Sequence, residues 1–306
     1  MVKPPLSQRI AWRLETLGYD VLTGMFRLLP LDWASAFGGW LLTVLGPLNS
    51  AHRTARINLK IAFPDLAEAE IERLLREQWE EFGRTTAEFA SGIDRIVAQG
   101  RIDIVNIELL HAIRDSGKPV VFISGHFSDW EIMPAAIMMA GVDSVVTYRP
   151  ANNPHVDKRW RVNRARYGVK LFGPKGEEGA RESLLALKRG VSVALMNDQK
   201  FAGGVRGPFF GVDVDTAPGP TKLAIKFGTV LQPMTVERTH GARFRVFVHD
   251  PIIPDATGHR TADIDSTVAQ INRFLESRIR QRPHDWFWTH KRWPNEIYRK
   301  DQPAEA

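Results

Sequence analysis

The fold class expected from the sequence is α/β, a central mostly parallel or mixed sheet flanked by helices, and three observations lead there. Short β-rich runs alternate with helical patterns: PVVFIS (119–124), SVVTYR (144–149), VSVALM (191–196), TVLQPMTVE (229–237) and FRVFVHD (244–250). Strand, helix, strand is the pattern of a sheet covered by crossover helices. Runs such as VVFIS are apolar on both faces, as central strands require, whereas RFRVFVHD alternates and is expected at an edge. Helices bracket the series. Within 68–89, Ile71, Leu74, Leu75, Trp79 and Phe82 recur at helical spacing with acidic residues opposite, and a last helix is expected over 261–282. Shorter helices are expected at 132–139 and 180–188.

The 306 residues carry 41 Lys+Arg against 35 Asp+Glu, a formal charge of +6. Apolar residues at 43% and charged residues at 25% exclude intrinsic disorder and a polytopic membrane protein. With no cysteine, disulfides, thiolate zinc sites and a cysteine nucleophile are excluded. In residues 1–60, seven basic residues face three acidic ones, and WASAFGGWLLTVLGPL (33–48) is uncharged. That stretch falls short of the roughly 18 to 20 residues of a straight bilayer crossing, and Gly38, Gly39, Gly46 and Pro47 weaken it as a helix. No signal-peptide cleavage site follows it. Helices lying on a membrane surface, with Trp12, Trp33 and Trp40 as anchors, fit as well as one short span; a buried helical hairpin is the alternative.

SGHFSDWE (124–131) closes the first central strand, where ligands and catalytic groups gather in parallel sheets. His126 is a natural general base near neutral pH, and Glu131, one turn into the next helix, is placed to orient the imidazole. Ser128 and Glu131 also spell a capping box, which would tie the glutamate to a helix end instead. Two further strand ends supply polar groups: Arg149 after SVVTYR, with a salt bridge as its alternative role, and Asn197, Asp198 and Gln199 after VSVALM, where Asn-Asp is also ordinary turn chemistry.

HFSDWE looks like the H(X)4D/E motif of the lysophospholipid acyltransferase superfamily. The whole chain resembles its branch of late lipid A biosynthesis acyltransferases, the lauroyl and myristoyl transferases of Gram-negative inner membranes, through blocks in matching order: LPLDWASAFGG, RTARINLKIAFPDLAEAE, TYRPANNP, NDQK, PFFG and WFWTHKRWP. The resemblance implies a glycerol-3-phosphate acyltransferase-like fold. It also implies acyl transfer from acyl carrier protein to a hydroxyl of a lipid A precursor, a phosphorylated glycolipid, at the inner membrane's cytoplasmic face, without metal or bound cofactor. Under it His126 and Glu131 form the catalytic dyad, Arg149 meets the acceptor phosphate, and Asn197, Asp198 and Gln199 line the site. The expected division is a membrane-associating helical segment (1–60), an α/β acyltransferase domain (61–300) and a tail (301–306).

Two basic regions suit anions. Residues 151–170 hold six basic residues against Asp157, and Lys158, Arg161 and Arg164 would share a helical face fit for a phosphate or an acidic carrier protein. Residues 271–300 interleave eight basic residues with Trp286, Phe287, Trp288 and Trp293, a mixture suited to a lipid headgroup interface. An acyl groove is expected at Phe127, Trp130, Phe209 and Phe210, with PFFG in a loop, and Met133 is expected in the core. His290 and Arg292 suit the surface as well as the site. Nucleic acid is disfavoured by the lack of any matching motif, GPKGEEG (173–179) lacks a P-loop's Gly-Lys-Ser/Thr and reads as a turn, and no His spacing suits a metal. Other lipid acceptors, namely a phosphatidylinositol mannoside, an ornithine lipid or a lysophospholipid, suit the same dyad. A non-catalytic protein binding anionic lipid is the alternative outside enzymes.

Overall fold

The computed structural model describes residues 4–172 and 177–300, so most of the expected turn at 173–179 lies outside the described residues. Five helices lead the chain: α1 (Leu6–Leu28), α2 (Leu31–Leu45), α3 (Ser50–Ala62), α4 (Glu68–Ser91) and α5 (Ile93–Ala98). Strands and helices then alternate through β1 (Ile102–Val105), α6 (Ile107–Ser116), β2 (Val121–Ser124), α7 (Ile132–Met139), β3 (Ser144–Thr147), α8 (Pro154–Ala165), β4 (Lys170–Phe172), α9 (Glu177–Lys188) and β5 (Ser192–Met196). A hairpin of β6 (Lys200–Phe209) and β7 (Val212–Thr216) precedes α10 (Gly219–Phe227), β8 (Leu231–His240), β9 (Arg243–Val248), α11 (Arg260–Gln281) and α12 (Asn295–Lys300).

Seven strands form one sheet in the order β1-β9-β8-β2-β5-β3-β4, parallel throughout except for the β8/β9 pair. The predicted α/β architecture stands. Val121, Phe122, Ile123 and Ser124 are all buried, as a strand covered on both faces demands. β9 is a correction, because it pairs on both sides and β1 holds the edge. Its alternation has another cause: Phe244, Val246 and Val248 are buried while Arg243 and Arg245 on the opposite face are exposed, so it reports a face left uncovered at the start of this strand. PFFG is a second correction. Its residues end β6 and make the hairpin turn, with Phe210 in the left-handed region at φ 51°.

The parallel strands β2, β5, β3 and β8 end on one rim, and α1 and α2 dock there. Asn153, which follows β3, donates to the Trp12 carbonyl of α1 at 2.8 Å. Asp32 of α2 accepts from the Ala242 backbone N–H between β8 and β9 at 2.9 Å. α2 also crosses α4 at backbone contact. A Cβ on Gly83 would stand 2.2 Å from the Gly38 carbonyl oxygen, so the glycines that weaken the helix by propensity are what lets the two helices meet.

The outer faces of α1 and α2 stay apolar and exposed. Leu6, Ile10, Leu14, Leu17, Val21, Met25 and Leu28 form a stripe at helical spacing on α1, and Trp33, Phe37, Trp40 and Val44 form one on α2. Trp12 is half-buried, so two of the three expected anchors face outward. No helix among the described residues is long and apolar enough to cross a membrane. The C-terminal aromatics correct the expectation of a headgroup interface: Trp286, Trp288 and Trp293 are at most 1% exposed and join the core, and Arg292 is buried with them.

Gly83→Ala is expected to destabilise the fold by about 3 kcal/mol through forced separation of α2 and α4. Gly24→Ala on α1, where an added Cβ meets nothing within 4 Å, is expected to stabilise by about 0.5–1 kcal/mol. Urea unfolding of the two variants reads both signs.

Candidate active site

The chain leaves β2 through Ser124, whose carbonyl accepts from the Asn197 N–H at 2.8 Å at the end of β5. The two strand ends are thereby locked side by side. Gly125 follows because nothing larger fits: a Cβ would stand 2.8 Å from the Phe127 ring and 3.3 Å from Asp198. His126 then lies against Asp198, its backbone N–H bonding Oδ2 at 2.8 Å and its Nδ1 lying 2.8 Å from Oδ1. The Trp286 indole donates to Oδ2 at 2.8 Å. Burial alone would raise the Asp198 carboxyl, but the His126 ring and the His126 and Trp286 donors outweigh it and hold the group below the usual carboxylate range. An ionised Asp198 can only accept, so Nδ1 carries a proton and Nε2 is the ring nitrogen left for other partners.

The expected pairing of Glu131 with the His126 ring is therefore corrected. Glu131 is engaged by Arg164 of α8, with Nε 2.9 Å from Oε2 and Nη2 on Oε1, and Tyr167 adds a longer bond. A bidentate guanidinium is a stronger partner for a half-buried carboxylate than a neutral imidazole is. Burial would lower the Arg164 guanidinium, and Glu131 more than reverses this, raising it. The capping box does not form either. Ser128 sits at φ 41° and donates to Glu81 of α4, while the Glu131 N–H bonds Asp129 at 3.2 Å.

Beside His126 opens a cavity of about 270 Å³, walled by Phe122, Met133, Ile137, Val146, Val169 and Ala194 and bordered at its polar end by Glu131, Arg149, Arg164, Gln199 and His290. Of the four expected groove residues only Trp130 lines it. Phe127, Phe209 and Phe210 are corrections: Phe127 bridges to Trp286, and Phe209 and Phe210 pack on Trp293, all three buried in the aromatic core. Met133, expected in the core, contributes to the cavity wall.

Arg149 is exposed at the cavity mouth and makes no ion pair among the described residues. The expected basic face of α8 divides. Arg164 turns inward to Glu131, Arg159 pairs with Asp20 of α1, and Lys158 and Arg161 remain exposed. Asn197 is buried away from the cavity, whereas Gln199 lines it and lies 2.9 Å from His290 Nε2. His290 stands with its ring 5.8 Å from that of His126, which brings it to the site instead of the open surface. Trp286 and Tyr167 were missed as site residues. The signal for Trp286 was its place in WFWTH, a block too aromatic for an ordinary surface tail.

A family model for bacterial lipid A biosynthesis acyltransferases matches residues 7–295. The chain belongs to that family. It is accordingly an acyltransferase of lipid A biosynthesis. Among curated relatives, it is 26% identical over 247 residues to a lipid A biosynthesis palmitoleoyltransferase of Escherichia coli K12, covering 78% of this chain and 77% of that one. A lipid A biosynthesis myristoyltransferase of the same organism is 26% identical over 270 residues, 81% of this chain and 78% of the relative. A solved 1-acyl-sn-glycerophosphate acyltransferase from Thermotoga maritima aligns with a TM-score of 0.35 at 11% identity, covering 80% of this chain and 96% of its own.

Glu131→Ala leaves the Arg164 guanidinium buried without its carboxylate and is expected to destabilise the acyltransferase by about 3–5 kcal/mol. Replacing both partners by apolar residues, Glu131→Leu with Arg164→Met, is expected to recover most of that loss. Urea unfolding of the single and double variants measures it.

Proposed function

We propose that the enzyme moves a fatty acyl chain from acyl carrier protein to a hydroxyl of a phosphorylated lipid A precursor at the cytoplasmic face of the inner membrane, with His126 as general base. The observation that carries this reading is the juxtaposition of an apolar cavity with a histidine backed by an ionised, buried aspartate. His126 Nε2 takes the proton of the acceptor hydroxyl as its oxygen bonds to the thioester carbonyl carbon. The resulting oxyanion collapses, the carbon–sulfur bond breaks, and the imidazolium returns the proton to the leaving thiolate. Asp198 keeps the ring in the reactive tautomer and stabilises its transient charge without itself accepting the proton. In this mechanism Asp198 has the orienting role expected of Glu131.

Glu131 acts through Arg164, whose Nη1 is buried without a hydrogen-bond partner beside the cavity. That donor and the exposed Arg149 supply positive charge for the oxyanion and the acceptor phosphate. Lys158 and Arg161 steer the acidic carrier protein. The apolar stripes of α1 and α2 enter the bilayer interface and bring the cavity to a lipid acceptor. Inside the cavity each buried methylene of the chain contributes about 0.8 kcal/mol.

His126→Ala and Asp198→Asn are each expected to lower kcat at least about a hundredfold with folding retained. An acyl transfer assay, with circular dichroism as the folding control, reads this, and full transfer by a folded His126→Ala variant would remove the base from the mechanism. Ala194→Phe fills the cavity wall and is expected to shift the donor preference toward shorter chains. Competing acyl carrier protein thioesters of graded length measure the shift; an unchanged preference places the chain elsewhere.

A further inference from the structure

On the same rim of the sheet, β9 lies two strands from β2, about 10 Å across. There a shallow notch of about 440 Å³ is lined by Arg101, Asp103, His240, Arg243 and Arg245. The sheet register explains why these side chains converge. Arg245 is paired with Asp103 of β1 and Arg243 with His240 of β8, and Arg243 and Arg245, two residues apart, share the face left uncovered at the start of β9. Arg101 is held by Asp32 at 2.7 Å. Arg243 and Arg245 make no ion pair among the described residues, and both are exposed. Asp103 and Glu237 flank Arg245 across the two ladders and Asp32 acts on Arg243, yet none of these carboxylates lies within ion-pair distance of either guanidinium.

The notch adjoins the apolar surface. Asp32, its link to Arg101, lies in the first turn of α2, and the next residue, Trp33, is 72% exposed and begins the stripe that continues through Phe37 and Trp40. Cationic groups at the border of an apolar face are arranged as a bilayer presents its own layers, with phosphate outside and hydrocarbon within. Guanidinium forks match phosphate oxygens, and the Asp103 carboxylate accepts from a hydroxyl, so the chemistry suits a headgroup bearing both.

We propose that this notch binds the headgroup of an anionic, hydroxyl-bearing phospholipid of the surrounding bilayer, phosphate on Arg243 and Arg245 and hydroxyl toward Asp103. It thereby fixes how the enzyme is rotated on the membrane. The proposal rests on reading α1 and α2 as lying in the bilayer interface, which the same experiment tests apart.

Flotation of the full-length enzyme with phosphatidylcholine vesicles, with and without phosphatidylglycerol, provides the test. A basic residue at an anionic surface gives roughly fivefold in partitioning, so Arg243→Gln with Arg245→Gln is expected to lose about 30-fold on phosphatidylglycerol vesicles and nothing on neutral ones. The control, Lys222→Gln with Lys226→Gln, removes the same charge from exposed positions of α10, whose C-terminal end leads into the opposite end of β8. An equal loss in the control reduces the effect to net charge and overturns the site. So does unchanged binding of the Arg243/Arg245 variant, as does a raised KM for detergent-dispersed acceptor with vesicle binding intact, which would give these arginines to the acceptor's own phosphate. Failure of the unaltered enzyme to float with either vesicle is a different result, and it removes the interfacial reading of α1 and α2 itself.

Discussion

Asp198 is the constraint on which the site depends. A carboxylate this deeply buried is tolerated in its charged form only if donors replace the water it has lost. Three do so: the His126 backbone, the His126 ring and the Trp286 indole. Satisfying one anion therefore fixes the loop after β2, the loop after β5 and the C-terminal segment together. The last of these is secured twice more, since the Phe287 N–H donates to the His126 carbonyl at 3.0 Å and the Ser128 N–H to the Asp285 carbonyl at 2.7 Å. Burial of the aromatic tail follows from the same demand, because Trp286 cannot reach Asp198 from a solvent-facing position.

A second set of charges supports the loop from below. Arg238 of β8 engages Glu81 and Glu88 of α4, and Ser128 donates to Glu81, so the left-handed turn at Ser128 is anchored to a helix outside the sheet. Burial raises the Asp129 carboxyl well above its ordinary range, and the neighbouring Glu88 pushes it further. Environment thus sorts the acids of this region: Asp198 is held in its charged form by its donors, Glu131 is ion-paired with Arg164, and Asp129 is pushed toward its protonated form.

The same physics explains what was legible in the chain. β2 could be read because both-face burial leaves an uninterrupted apolar run, β3 and β5 because they too are mostly apolar, and α4 because its buried face repeats at helical spacing. β1 could not, because at the sheet edge only Ile102 of its four residues is buried and Asp103 breaks the apolar run; β4 has three residues, and the β6/β7 hairpin is too rich in glycine and charge to carry a strand pattern. His126 was legible from its strand-end position, yet its partner was not. A carboxylate five residues away and another 72 residues away are equally available until the fold places Arg164 on the first and Trp286 on the second. Propensity likewise marks Gly38 as a helix weakness, and only its contact with Gly83 shows what the missing side chain permits.

Topology finally sets where a lipid can reach the chemistry. The parallel strands deliver His126, Asp198 and Arg149 to one rim because each follows the C-terminal end of its strand. α1 and α2 are fastened to that same rim through Asn153 and Ala242, which lie beyond the ends of β3 and β8. A protein that used its apolar stripes only for adhesion would have no need to hold them at this end of the sheet. In the proposed mechanism, attachment there holds the apolar stripes at the same end of the sheet as the cavity, so that an acceptor whose acyl chains stay in the membrane presents its hydroxyl to His126 without leaving the interface.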